Sequence, residues 1–147
     1  MVLDGELRKS GLNKNNNPKE KTYPVMYLFV NKGINMSPGK MAAQTAHAAC
    51  CAQRISNDQL INDWYEFGFY TKIVLEARSE RHLETIKKYL EERDIKTSLI
   101  IDEGRTELNP HTMTALGVEV IDKNIKGEIF KSFKLYKPEF NITVKFN

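Results

Sequence analysis

Short apolar runs alternate along this chain with stretches of helical periodicity, and this alternation is the feature that most restricts its fold. The run VMYLFV at residues 25–30 is apolar, β-branched and aromatic, as in a buried strand. The stretch SERHLETIKKYLEERD instead places Leu83, Ile86 and Leu90 on one helical face, with Ser79 as its cap. Alternating strands and helices predict a single α/β domain, in which helices flank a mixed β-sheet as three α/β/α layers.

Capping residues and periodicity indicate where the other elements lie. Ser37 is a natural N-cap and Pro38 suits the first position of a helix, so a helix should begin there. Ile125, Ile129 and Phe133 also recur at helical spacing. The remaining predicted elements are helices at residues 40–55, 57–67 and 121–133, strands at residues 70–77, 96–102 and 112–120, and an alternating C-terminal edge strand within residues 134–147.

The chain divides into a polar N-terminal arm at residues 1–22 and a folded domain at residues 23–147. The arm is rich in Asn and Lys and has little apolar material. The net charge is +3, of which +2 comes from residues 1–22. Bulk charge therefore does not by itself indicate a nucleic-acid partner, and such a partner would need basic groups gathered on one face.

Nothing in the chain predicts a membrane protein or a secreted one. No apolar run approaches the roughly 20 residues needed to span a bilayer, and the first residues lack the apolar region of a signal peptide. Cys50 and Cys51 are neighbours in a predicted helix and should point to different faces, which disfavours a disulfide between them. We expect a cytoplasmic protein.

The stretch SPGKMAAQTAHAAC at residues 37–50 places three polar side chains on one face of an alanine-rich helix. At about 100° per residue, Lys40, Gln44 and His47 lie within roughly 60° of one another. The ordinary interpretation is a solvated helix face. However, a cation in the first turn opposes the helix dipole, and Gly39 would admit a ligand to the backbone N–H groups of residues 39 and 40, which we expect to be free. The alternative is that these side chains stand out from the helix and bind a phosphate or a developing oxyanion.

The stretch LIIDEGRTELNPHTMTALG at residues 99–117 has polar side chains where a predicted strand ends. Asp102 could orient a water molecule or accept its proton, because a strand end holds a side chain still. Thr106 and Thr114 could donate hydrogen bonds, and Arg105 could meet a phosphate. The alternative is a simple turn, since Asp, Gly and Pro are typical turn residues.

No cofactor or metal site is predicted. The histidines at positions 47, 82 and 111 have no acidic cluster at ligand spacing, and the sequence lacks a glycine-rich phosphate loop. It also lacks a recognisable Ser-His-Asp or Cys-His arrangement. Water is therefore the expected nucleophile.

Taken together, the two stretches resemble the type 2 peptidyl-tRNA hydrolases, which are common in archaea and eukaryotes. The family's helix motif is close to G-K-x-A-A-Q-x-x-H-A, and residues 39–48 read GKMAAQTAHA. Its second motif is close to D-A-G-x-T followed by P-G-[ST]-x-T-x-L-G, and this chain has DEGRT and PHTMTALG. The resemblance covers about residues 25–137.

The resemblance implies a mixed-sheet α/β enzyme, often a homodimer, that hydrolyses the ester joining a peptide to the 3′ ribose of tRNA. Its substrate partner would be peptidyl-tRNA, with water activated near Asp102 and anionic charge stabilised by Lys40. We add Gly39, Arg105 and Thr112 as candidate substrate-binding residues. The family's functional positions correspond here to Lys40, Gln44, His47, Asp102, Thr106 and Thr114.

Several positions depart from the family pattern. Asn31 and Gly33 stand where Arg and Asp are frequent, Glu103 replaces an alanine, and His111 replaces a glycine. Glu103 would raise the pKa of a neighbouring carboxyl group or repel phosphate if it faced the site. Two other functions therefore stay open: a catalytically weak or inactive tRNA- or protein-binding module of the same fold, and an interaction protein that uses the arm and the C-terminal strand.

Overall fold

The computed structural model describes residues 21–104 and 108–137, and the mixed sheet and flanking helices predicted from the sequence are present. Most of the predicted N-terminal arm and residues 138–147 of the predicted edge strand lie outside the described residues. The elements are β1 (Pro24–Asn31), α1 (Pro38–Ile55), α2 (Asp58–Glu66), β2 (Lys72–Ala77), α3 (Glu80–Glu91), β3 (Thr97–Asp102), β4 (Thr112–Val118), β5 (Ile121–Asp122), α4 (Lys123–Lys126) and a 3₁₀ turn (Gly127–Phe130).

The sheet has the strand order β2-β1-β4-β3, with β5 paired to the beginning of β1. β1 and β2 are parallel, whereas β4 is antiparallel to both β1 and β3. β1, β2 and β3 therefore run in the same direction. Their last residues, Asn31, Ala77 and Asp102, therefore lie together where the carboxyl ends of these strands meet. This carboxyl edge of the sheet is where α/β proteins commonly bind ligands.

The buried side chains of β1 alternate between two apolar clusters, one on each face of the sheet. Tyr27 and Phe29 belong to the cluster beneath α3 and the 3₁₀ turn. Met26 and Leu28 belong to the cluster beneath α1 and α2, together with Trp64. This alternation is the period of two expected for a central strand that is buried on both faces, and it produces the predicted three layers.

The predicted start of α1 is confirmed in detail. The Ser37 hydroxyl accepts the backbone N–H of Lys40 at 3.2 Å, and Pro38 occupies the first helical position. α3 begins in the same way, because the Ser79 hydroxyl accepts the N–H of His82 at 3.0 Å. Within the described ranges, no helix has both the length and the apolar character needed to cross a membrane.

α1 lies unusually close to β4, and Gly117 is the reason. A Cβ atom at this position would overlap the Ala48 carbonyl oxygen and lie 3.1 Å from Ala52 Cβ. Glycine in the strand and alanine in the helix thus let the two backbones approach one another. This approach positions the N-terminal half of α1 beside the end of β3 and the beginning of β4.

The helix predicted at residues 121–133 is wrong in extent. The segment begins with β5, continues as the single turn α4 and ends as a 3₁₀ turn. Ile125, expected on the buried face, is 76% exposed, whereas Phe130 is 3% exposed and stacks on Tyr27. The helical spacing does not predict this outcome, because the α-helix ends at Lys126 and a 3₁₀ turn follows. As a result, Phe130 rather than Ile125 reaches the core.

Candidate active site

The structure brings the first turn of α1 and the end of β3 into direct contact. Lys40 Nζ donates to Asp102 Oδ1 at 2.5 Å, although the two residues are 62 positions apart. The side chains are only 8% and 7% exposed. A basic helix start and an acidic strand end therefore meet as a largely buried ion pair at the carboxyl edge of the sheet.

The loop after β3 holds the Asp102 carboxylate from the other side. The Gly104 N–H donates to Asp102 Oδ2 at 2.9 Å. Gly104 has a φ of +75°, and a Cβ atom there would lie 2.8 Å from Pro110, so both conformation and space favour glycine. The backbone is fixed as well, because the His111 N–H donates to the Asp102 carbonyl at 2.8 Å.

Gln44 connects the ion pair to β4. The Thr114 hydroxyl donates to Gln44 Oε1 at 2.6 Å, which directs Gln44 Nε2 towards Asp102 Oδ1 at 3.5 Å. Gln44 and Thr114 are both buried. Since an ionised carboxylate can only accept, the amide presents Nε2 to Asp102, and the threonine hydroxyl satisfies the Oε1 at its other end.

A β-bulge explains why Thr114 can reach the helix. Ile100 is opposite Ala115, but the next residue, Ile101, is opposite Met113, so Thr114 is an extra residue in β4. Bulges bend a strand and redirect side chains, and they are frequent near active sites. No local pattern in the sequence indicates this bulge or the link between Thr114 and Gln44.

The surroundings keep Asp102 ionised. The hydrogen bond from Lys40 is the largest cause that lowers the pKa of Asp102, and burial acts in the opposite direction. The Gly104 N–H and the nearby charges of Lys40 and His47 lower this pKa further. Glu103 is exposed and is not among the causes that shift the pKa of Asp102.

The interpretation in which Lys40, Gln44 and His47 all stand out from α1 is wrong for Lys40 and Gln44. Lys40 and Gln44 turn inwards to Asp102 and Thr114, because the close approach of α1 to β4 gives them partners there. His47 does remain exposed. The Lys40 N–H, expected to be free for a ligand, instead donates to the Ser37 cap.

The other candidate residues lie around this centre or outside the described residues. Gly39 is exposed, with no atom within 4 Å of where its Cβ would be. Thr112 is opposite Asp102 in the ladder, but its hydroxyl donates to the Asn109 carbonyl at 2.7 Å. Arg105 and Thr106 lie outside the described residues.

Two of the departures from the family pattern have a structural role here. Asn31 is fully buried, its Nδ2 donates to the Met113 carbonyl at 2.9 Å, and its Oδ1 accepts the Gly33 N–H at 2.8 Å. A Cβ atom at Gly33 would overlap the Arg78 carbonyl oxygen. These residues therefore hold β1, β4 and the end of β2 together at the edge where the candidate site lies.

A separate groove of about 800 Å³ runs along the other flank of α1. It is lined by small side chains such as Ala46 and Ala49 and by the aromatic rings of Trp64 and Tyr70. At 100° per residue, Ala46 and Ala49 lie on the side of α1 opposite Lys40. The groove is therefore distinct from the ion pair.

Comparison with known proteins gives a consistent result. The sequence model of the family described as "Peptidyl-tRNA hydrolase PTH2" matches residues 24–136. A protein of Halobacterium salinarum named "Peptidyl-tRNA hydrolase" is 40% identical over 85 residues, which cover 58% of this chain and 75% of the relative. Proteins with the same name are 35% identical in Thermococcus onnurineus, covering 65% of this chain and 87% of the relative, and 33% identical in Thermoplasma acidophilum, covering 75% and 96%.

Proposed function

This chain belongs to the peptidyl-tRNA hydrolase PTH2 family, and we propose that it hydrolyses the ester bond of peptidyl-tRNA at the Lys40–Asp102 pair. The products are a free peptide and free tRNA. The observation that carries the proposal is the ion pair itself, built from the first turn of α1 and the end of β3. Relatives that bear the name peptidyl-tRNA hydrolase support the substrate.

Asp102 holds and activates the attacking water. One of its oxygens accepts from Lys40, and the other accepts the Gly104 N–H, which leaves lone pairs for a water molecule. A lowered pKa keeps the carboxylate ionised at neutral pH, when it must accept a hydrogen bond. The proton passes to Asp102 as the new C–O bond forms, and then to the departing ribose oxygen as the ester C–O bond breaks.

Lys40 stabilises the negative charge that develops on the ester carbonyl oxygen. Its ammonium group lies in a largely buried site, where electrostatic stabilisation is stronger than in water. Gln44 and Thr114 are positioning residues that hold Asp102, since their contacts lead to the carboxylate. His47 is exposed on the same helix and binds the terminal nucleotide, and Gly39 admits the substrate backbone near the helix start.

Thr106, Arg105 and Thr112 keep the roles inferred from the sequence. Thr106 assists the water, and Arg105 and Thr112 contact the substrate. The homodimer implied by the family resemblance and the cytoplasmic location expected from the sequence belong to the same proposal. Analytical ultracentrifugation and cell fractionation test these two points.

The decisive experiment measures hydrolysis of N-acetyl-aminoacyl-tRNA by the full chain and two variants. Asp102→Asn keeps the size of the side chain but removes the proton acceptor, and we expect kcat/KM to fall by about 10²–10⁴-fold. Lys40→Met keeps the apolar stem and removes the charge, with an expected loss of about 10²–10³-fold. Full activity in folded Asp102→Asn would refute the role of this carboxylate, and inactivity of the unchanged chain would refute the function.

A further inference from the structure

We propose that Arg78 and Arg81 bind the phosphate backbone at the 3′ end of the tRNA substrate. This inference rests on the proposed function and adds a second contact region to it. Arg78 directly follows β2, and Arg81 lies in the first turn of α3. Both residues are exposed.

The two arginines lie at the same edge of the sheet as the ion pair. Ala77, the last residue of β2, is opposite Asn31 of β1, and Asp102 is the last residue of β3. β1 and β4 lie between β2 and β3, so the ends of β2 and β3 are three strand spacings apart. At about 4.8 Å per spacing this is roughly 14 Å, a span that a few nucleotides of an extended strand can bridge.

Hydrogen bonds fix the backbone that carries these arginines. The Arg78 N–H donates to His82 Nδ1 at 2.9 Å. Glu80 Oε1 accepts the Met113 N–H at 2.6 Å, which attaches the start of α3 to β4 next to the residue opposite Asp102. The position of the arginines relative to the ion pair is therefore set by the sheet and not by a loose loop.

Ion pairing distinguishes these two arginines from the lysines near the C-terminal end of α3. Towards its C-terminal end, Lys87 pairs with Glu91 and Lys88 pairs with Glu92. Neither arginine makes an ion pair among the residues that the structure describes. The two arginines therefore remain exposed at the end of the sheet that carries the candidate site.

The ionisable groups beside the two arginines are each directed to another partner. Lys32 is close to the end of β2, but it pairs with Glu76 at 3.0 Å. His82 accepts a backbone N–H, and burial followed by the charge of Arg78 lowers its pKa, so it stays neutral at neutral pH. Glu80 is engaged by Met113. A guanidinium group matches phosphate oxygens with two parallel hydrogen bonds, which makes a nucleic-acid backbone the fitting ligand.

The test compares two substrates that share the ester but differ in phosphate. One is N-acetyl-aminoacyl-tRNA, and the other is the same ester on adenosine alone, which has no phosphodiester. For tRNA, we expect Arg78→Ala and Arg81→Ala each to lower kcat/KM at low salt. The slope of log kcat/KM against log salt concentration should become shallower by about 0.7–0.9 for each arginine–phosphate interaction that is removed. For the adenosine ester, kcat/KM should not change.

Lys88→Ala is the matched control, because it removes one positive charge from the same helix at a position far from the site. It should keep the salt slope of the unchanged chain. Unaltered salt slopes in both arginine variants, an equal loss on the adenosine ester, or an equal effect of Lys88→Ala would each overturn this inference alone. Failure of the unchanged chain to cleave either ester would overturn the proposed function as well.

Discussion

The Thr114 hydroxyl donates to Gln44 Oε1 at 2.6 Å and thereby holds the amide whose Nε2 faces Asp102. Thr114→Val keeps the shape of the side chain but removes the donor. We expect a loss of about 1–3 kcal/mol in the free energy of unfolding, because a buried amide oxygen loses its partner. kcat should also fall, since the amide that contacts the carboxylate is then no longer held at its other end. Urea denaturation and initial rates measure the two effects.

Thr114→Ser is the control for this change, because it keeps the hydroxyl group. It should restore kcat towards that of the unchanged chain while losing only the packing of one methyl group. Equal kcat values for Thr114→Val and the unchanged chain would contradict the positioning role.

The pH dependence of activity should follow the ion pair. Asp102 has a lowered pKa in the folded chain, so the ionised form is favoured by folding. The associated stability is present above the ordinary Asp pKa of about 3.9 and is lost as pH falls through the lowered value. Lys40→Met removes the largest cause of the shift and leaves burial, which raises the pKa.

We therefore expect the acid limb of kcat/KM in Lys40→Met to move to higher pH than in the unchanged chain. Rates on N-acetyl-aminoacyl-tRNA between pH 4 and 8 measure this shift. Lys88→Met, which removes a lysine paired to Glu92 on α3, should leave the limb in place. Superimposed profiles for Lys40→Met and the unchanged chain would show that the ion pair does not control the acidity of Asp102.

Gly117→Ala should separate α1 from β4. The new methyl group would overlap the Ala48 carbonyl oxygen, which belongs to helix backbone and cannot rotate away. We expect a loss of about 1–3 kcal/mol in unfolding free energy, together with lower activity, because the shift moves Lys40 and Gln44. Thermal unfolding followed by circular dichroism and an activity assay on the folded fraction test both effects. A variant as stable and active as the unchanged chain would show that the helix can move without consequence.

Gly39→Ala distinguishes stability from binding. The position is helical and exposed and has no neighbour within 4 Å of the added Cβ, so the change should stabilise the fold by about 0.4–1 kcal/mol. If the substrate approaches the backbone here, KM for N-acetyl-aminoacyl-tRNA should rise at the same time. An unchanged KM would remove Gly39 from the substrate-binding residues.

Local signals in the sequence predicted the parts of the fold that depend on local chemistry. The start of α1 was predictable because Ser37 and Pro38 act on the helix they begin. β1 was predictable because a strand buried on both faces is apolar along its whole length. The segment at residues 121–133 was not, since its path depends on which side chain reaches the core, and Phe130 does so by stacking on Tyr27.

The sequence indicates which residues form the candidate site better than it indicates the contacts between them. Lys40 and Asp102 were both identified, and the structure joins them. The inward direction of Lys40 and Gln44 is not encoded in the helix alone, because the close approach of α1 to β4 depends on Gly117, which is distant in the chain. The bulge at Thr114 has no local signature either, since it exists only in the pairing of β4 with β3.

The strand order has a consequence for how activity arises during folding. Among the described residues, β3 pairs with β4 alone, which follows it in the chain and lies between it and β1. A chain released before β4 is complete contains the lysine, the glutamine and the aspartate, yet lacks the strand that attaches β3 to the sheet. Because closing such a long loop is entropically costly until the intervening strand is in place, catalytic competence should be among the last properties the molecule acquires.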